Sequence, residues 1–98
     1  MRIISRRALR ELWEKPDRGD SEAPLSAWYN IVRRAEWSDT AMLKAQFRSV
    51  SFVGDRIVFN IGGNKYRLVA GVDYVYRTIY VKWVGTHSEY DKIDVRTV

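Results

Sequence analysis

Cysteine is absent from the 98 residues. That excludes disulfides, thiolate zinc sites and cysteine nucleophiles. Histidine occurs once, at position 87, which is too little for a His-rich metal site. No apolar run approaches the ~18–20 residues needed to cross a bilayer. The opening Met1-Arg-Ile-Ile-Ser-Arg-Arg7 has neither a long apolar stretch nor a small-residue cleavage site, so it does not read as a secretory signal. No repeat, linker or low-complexity segment is visible. The expectation is a cytoplasmic protein without a membrane partner, a metal or a cofactor.

Acidic residues are in the minority, 12 against 17 Lys and Arg, giving a net charge of +5. A small basic domain attracts polyanions through a long-range, salt-sensitive field, and nucleic acid is the commonest such partner. Ordinary solubility charge is the plainer explanation of the same number. Aromatics are plentiful, with four Trp and six Tyr. Beside basic residues they can stack bases, although a chain this short needs most of them for its core. The length predicts one domain over residues 1–98, burying roughly 60–68 % of the surface of the unfolded chain.

The first half reads as helical. Arg2-Ile3-Ile4 is a short opening strand, Ser5 an N-cap, and Ala8, Leu9, Leu12 and Trp13 form one stripe of a helix stopped at Lys15-Pro16. Asp20 or Ser21 caps a second helix, with Leu25, Trp28, Tyr29, Val32 and Ala35 at helical spacing. Ser38 starts a short third helix through Ala45. From Val50 the period changes to two. Ser51–Val53, Arg56–Ile61, Lys65–Val72 and Thr78–Val84 read as strands, and Gly62-Gly63-Asn64 as a hairpin turn. A polar tail follows from Gly85. The prediction is an α+β fold with N-terminal helices packed on one face of a twisted antiparallel sheet.

Two segments carry candidate chemistry. In the hairpin, alternation sets Lys65 and Arg67 opposite Tyr66 and Leu68, so two cations about 7 Å apart point to the open face, a spacing suited to phosphate. A solvated strand face explains them equally simply. Lys82, whose parity on the neighbouring strand differs from that of Trp83, adds a third cation to the same face in a register that the sequence does not fix. Gly62 and Gly63 are turn chemistry, because a phosphate loop needs a following helix and here a strand follows. Beyond the last strand, Tyr90 and Asp91 stand three and four residues after His87, one face of a helical turn. An imidazole both accepts and donates protons near neutrality, but a lone His is more often a passive residue. Thr86 or Ser88 caps that turn in the alternative reading. Ser88 has no second histidine to serve it as a base, which argues against a serine hydrolase. Glu89, Asp91 and Asp94 lack the loop spacing of a Ca²⁺ or Mg²⁺ site.

The run Val58-Phe-Asn-Ile-Gly-Gly-Asn-Lys-Tyr-Arg-Leu68, followed by Gly85-Thr-His-Ser-Glu-Tyr-Asp-Lys92, resembles the HigB-type toxins of the RelE superfamily, as does the opening Met-Arg-Ile-Ile-Ser. The resemblance covers nearly the whole chain. It implies a RelE-like fold and a type II toxin–antitoxin toxin, an mRNA endoribonuclease commonly acting on the ribosome and silenced by a cognate antitoxin. It carries the family's basic strand residues onto Lys65 and Arg67, with Lys82 a weaker match. It carries the C-terminal catalytic segment onto His87, Tyr90, Asp91 and Lys92. A single histidine departs from relatives that use two or more, and shifts weight to Tyr90 or a lysine as the second proton-transfer group. The expected catalytic set is His87, Arg67, Tyr90 and Lys65, with Lys82, Asp91, Lys92 and Asn64 binding substrate. RNA brings its own nucleophile, the 2′-OH, so a metal-independent mechanism needs a base, an acid and cations. A non-catalytic RNA- or protein-binding module, or a toxin of the same fold acting on another target such as a topoisomerase, are the alternatives.

Overall fold

The computed structural model describes every residue from Met1 to Val98. Strand β1 (Arg2–Ile4) leads into helix α1 (Arg6–Trp13), which buries Leu9 and Leu12. A 3-10 turn (Gly19–Ser21) precedes α2 (Glu22–Arg34). Pro24 lies in the first turn of α2, where its missing N–H has no helical partner to lose. Leu25, Trp28 and Val32 form the buried face of α2. Helix α3 (Thr40–Gln46) is capped by Asp39, one residue later than expected. Asp39 Oδ1 accepts the Met42 N–H at 2.9 Å, while the hydroxyl of Ser38 turns to the Met42 sulfur at 3.0 Å. The carboxylate satisfies a first-turn donor that Ser38 stands too far back to take.

Strands β2 (Ser51–Val53), β3 (Arg56–Ile61), β4 (Tyr66–Asp73) and β5 (Thr78–Thr86) follow, with a single helical turn α4 (His87–Tyr90) at the end of β5. The sheet order is β1-β5-β4-β3-β2. The four later strands pair antiparallel, as expected from the hairpins. At the other edge β1 runs parallel to β5, with Ile3 opposite Ile79, so the sheet is mixed and the fold α+β. A parallel neighbour needs a long connection. The helical layer and the β2–β4 meander together provide it.

The helices cover one face of the sheet. Ile57, Phe59, Ile61, Tyr66, Leu68, Ala70 and Ile79 meet Leu9, Leu25, Trp28, Val32 and Leu43 there. Aromatic rings run through this core edge to face: Trp28 to Phe59 at 5.4 Å, Phe59 to Phe47 at 5.1 Å, and Phe47 to Trp37 at 5.8 Å. These are the favoured geometries of ring quadrupoles.

Strand β5 departs from strict alternation. Trp83 pairs with Val69 and Val81 with Ala70, so Lys82 is an inserted residue, a β-bulge. The sequence pattern groups Val81 with Trp83, and Lys82 with Val84. The bulge regroups them. Val81 and Val84 pack on the core, whereas Trp83 lies opposite Val69 on the outer face, the one turned away from α1–α3. Lys82 joins it there: its Cε is 3.5 Å from the position a Cβ on Gly71 would take. The segment after α4 is less free than a polar tail. It returns to β3, where Nε and Nη2 of Arg56 donate to the carbonyl oxygen of Val98 at 3.2 and 2.6 Å.

Candidate functional site

The hairpin between β3 and β4 sets the end of the sheet on which the candidate residues gather. Gly62 and Gly63 have φ of +61° and +69°, a conformation that other residues adopt only with strain. Pairing resumes at Ile61 and Tyr66. The phenol of Tyr66 enters the helical side and donates to Asp20 Oδ1. Burial first, then this bond to a carboxylate, pushes the Tyr66 phenol above its usual range.

Lys65 does not accompany Arg67 onto the outer face. It precedes the first residue of β4, so the pleat does not dictate its direction. Its ammonium pairs with Asp20 Oδ2 and lies 5.7 Å from the centre of the Tyr66 ring. The Asp20 carboxyl is held below the ordinary carboxylate range, mainly by Lys65 and next by the Tyr66 hydroxyl. Lys65 is correspondingly raised by its bond to Asp20.

Arg67 lies opposite Asn60 on β3 and Gly85 on β5, between the core residues Tyr66 and Leu68, and so on the outer face. No carboxylate stands within ion-pair distance of it. Its Nη1 donates to the carbonyls of Asn64 (3.3 Å) and Tyr66 (3.4 Å), and its Cζ lies 5.8 Å from the centre of the Tyr90 ring. The side of Tyr90 is shared with Trp83, whose ring is 6.2 Å away at 53°.

Helix α4 is fixed by a capping box. The Thr86 hydroxyl accepts the Glu89 N–H at 3.1 Å, and Glu89 Oε1 accepts the Thr86 N–H at 2.9 Å. Thr86, of the two sequence candidates, is thus the cap. The bond from the Thr86 backbone is the main cause of a lowered Glu89 carboxyl. His87 begins the turn. Its backbone N–H donates to the Lys65 carbonyl at 2.9 Å, which ties α4 to the start of β4. Its ring is half exposed, with Nε2 at 3.9 Å from Asp91 Oδ1.

The structure thus gathers Arg67, Tyr90, His87 and Asp91 at one end of β4 and β5, with the Asn64 carbonyl behind the guanidinium. Lys65 is tied in by its backbone while its charge is directed to Asp20. Lys82 lies further along the sheet, its Nζ 5.5 Å from the centre of the Tyr80 ring. Lys92 is exposed just past α4, with its backbone N–H bonded to the Glu89 carbonyl at 3.1 Å. Three participants escaped the sequence reading. Trp83 was hidden by the bulge. Asp20, 45 residues from its partner Lys65, left no local signal. Gly85 opens both the polar tail and the segment that carries the resemblance, but nothing in its spacing shows that a Cβ there would lie 2.7 Å from both Cη2 and Cζ2 of Trp83. No group of three or more His, Cys, Asp or Glu side chains comes together as a metal-binding set.

A guanidinium without a carboxylate partner, beside a phenol and at the strand end where the turn bearing His87 begins, is an arrangement chemically suited to a phosphate-bearing polyanion on a small α+β fold. Comparison with known proteins makes the class specific. Residues 21–93 match the model of the HigB toxin family, described as the RelE-like toxic component of a toxin–antitoxin system, and the chain belongs to that family. It is 34 % identical to the mRNA interferase toxin HigB of Escherichia coli (strain K12) over 94 residues, covering 93 % of this chain and 88 % of that protein. The mRNA interferase HigB of Shigella flexneri matches to the same extent. The mRNA interferase HigB of Escherichia coli O6:H1 is 26 % identical, over 95 % of this chain and 91 % of its own length.

Proposed function

We infer that this chain is an mRNA interferase, the toxin of a type II toxin–antitoxin pair, which cuts mRNA on translating ribosomes in the cytoplasm and is held silent by a cognate antitoxin protein. One observation carries the reading: the Arg67 guanidinium, which has no carboxylate partner, faces Tyr90 at the end of β5, where the turn α4 begins with His87. The family membership and the names of the relatives support it. No helix is long and apolar enough to cross a membrane.

The chemistry follows from RNA itself. The 2′-oxygen attacks phosphorus, the bond from phosphorus to the 5′-oxygen breaks, and the products carry a 2′,3′-cyclic phosphate and a 5′-hydroxyl. A base takes the 2′ proton and an acid returns one to the leaving 5′-oxygen. His87 serves as one of these groups and Tyr90 as the other. Asp91, on the same face of α4, steadies the imidazolium when it forms. Arg67 grips two phosphate oxygens and stabilises the added charge of the pentacoordinate state. The Asn64 carbonyl orients that guanidinium. Lys65 contributes a second, partly neutralised positive charge beside the His87 turn, and Lys82 and Lys92 hold flanking phosphates. The route needs no metal.

The test is incubation of the purified chain with naked mRNA and with translating ribosomes in EDTA, mapping both new ends. Cyclic-phosphate ends are expected. His87→Ala and Arg67→Ala are each expected to slow single-turnover cleavage by about 10²–10³-fold. Products ending in 3′-hydroxyl, or either variant cutting at the wild-type rate, would overturn the assignment. Growth arrest with intact transcripts would point instead to a target other than mRNA.

A further inference from the structure

We propose that Trp83 is the base-stacking surface of this site, taking the face of the nucleobase next to the phosphate that Arg67 holds. The proposal rests on the ribonuclease reading above and adds to it a ligand subsite.

Trp83 is not a core residue. Trp28 and Trp37 are 2 % exposed inside the helix-covered core, and Trp13 packs against that core. Trp83 belongs to neither group, because the Lys82 bulge turns it to the outer face. Its indole leans along β5 toward the candidate site. The six-membered ring lies over Gly85, and Gly85 is the cross-strand partner of Arg67. Gly85 leaves the one opening through which a ring this size settles so close to the strand. The indole also neighbours Tyr90 at 6.2 Å between ring centroids, and the Tyr90 ring in turn faces the Arg67 guanidinium. Indole, phenol and guanidinium therefore form a continuous surface of one aromatic face, one hydroxyl-bearing ring and one cation.

That is the combination with which single-stranded RNA is held: a flat π-face for the base and a fork of N–H donors for its phosphate. Trp83 offers the larger face, which leaves the Tyr90 hydroxyl for proton transfer. The competing explanation is that the indole merely shields Val69, its fully buried cross-strand partner. Leucine at position 83 separates the two, since it covers Val69 and presents no π-face.

The experiment uses a dye-labelled RNA pentanucleotide carrying 2′-O-methyl groups at every nucleotide, so that it binds without being cut. Two further probes have an abasic nucleotide on one or the other side of the central linkage. Affinity is read by fluorescence anisotropy, with folding checked by thermal melting. Trp83→Leu is expected to weaken the intact probe by about 5- to 150-fold, the range given by stacking one base. Trp83→Phe is expected to restore most of the loss. One abasic probe is expected to bind the wild type as weakly as the intact probe binds Trp83→Leu, with no additional loss when both changes are combined. Undiminished binding by a folded Trp83→Leu, losses that simply add, or no binding by the wild type would overturn the proposal. Cleavage of mRNA on translating ribosomes is read alongside. Wild-type cutting with no dependence on Trp83 removes the stacking role alone, and absence of cutting by the wild type removes the ribonuclease reading.

Discussion

Replacing Gly85 by alanine tests how tightly the outer face is built. The added Cβ would lie 2.7 Å from two carbons of the Trp83 indole and 3.0 Å from Glu89 Oε1. Carbon pairs prefer about 3.5–4.0 Å, so the indole must withdraw by roughly 0.8–1.3 Å. The strand cannot yield instead, because Gly85 is paired with Arg67 in the β4–β5 ladder. Withdrawal loosens the contact with Tyr90 and uncovers Val69. Pressure on Glu89 also strains its bond to the Thr86 N–H. Overpacking of this kind costs about 1–3 kcal/mol, and the lower entropy of unfolded alanine offsets about 0.4–1 kcal/mol of it. The net loss is about 1–2 kcal/mol, or roughly 4–16 °C in Tm for a chain of this length. In a Trp83→Ala background the two indole contacts are gone, so Gly85→Ala should become neutral or slightly stabilising. Urea denaturation of the four proteins measures the coupling, expected at about 1–3 kcal/mol, the size of the overpacking cost alone. An equal cost of Gly85→Ala in both backgrounds would refute the steric argument.

Two further outcomes follow from the core and from the Asp20 cluster. Phe59 is 1 % exposed and meets both Trp28 and Phe47 edge on, so Phe59→Ala should cost about 3–5 kcal/mol in denaturant unfolding; a loss below 1 kcal/mol would contradict its place at the centre of the core. Asp20 has a lowered carboxyl pKa, caused first by Lys65 and then by Tyr66. A depressed folded-state value stabilises the protein above the unfolded value, about 3.9, and that stabilisation fades as pH falls through the folded value. Asp20→Asn should therefore be less stable than the wild type at pH 7, with the gap narrowing below about pH 4, and a gap of constant size in urea melts at pH 7 and pH 3 would remove the ionic contribution.

What the sequence conveyed, and what it withheld, divides by range. Leu25, Trp28 and Val32 announced their helix because three- and four-residue spacing is a local property, and the hairpin announced itself through two glycines at positive φ. The parallel pairing of β1 with β5 and the Asp20–Lys65–Tyr66 cluster join residues far apart in the chain, and no periodicity within either segment encodes the encounter. Spacing marked the strand cations and the His87 turn separately, and the resemblance to HigB-type toxins joined Lys65 and Arg67 to His87, Tyr90, Asp91 and Lys92 as one expected site, of which the Lys65 ammonium turns instead to Asp20. Trp83 illustrates the sharper limit. Read as a regular strand, residues 79–84 alternate cleanly, and the pattern directs the indole to the core beside Val81. One inserted residue reverses every side chain beyond it, because the strand period is two. The reversal turns Val84 inward against Leu68 and brings Trp83 out beside Lys82. A bulge leaves no mark in composition, so the largest aromatic face near Arg67 stays hidden until register is known. The same inserted residue lets a strand that closes the core on one side furnish an aromatic and a cation on the other.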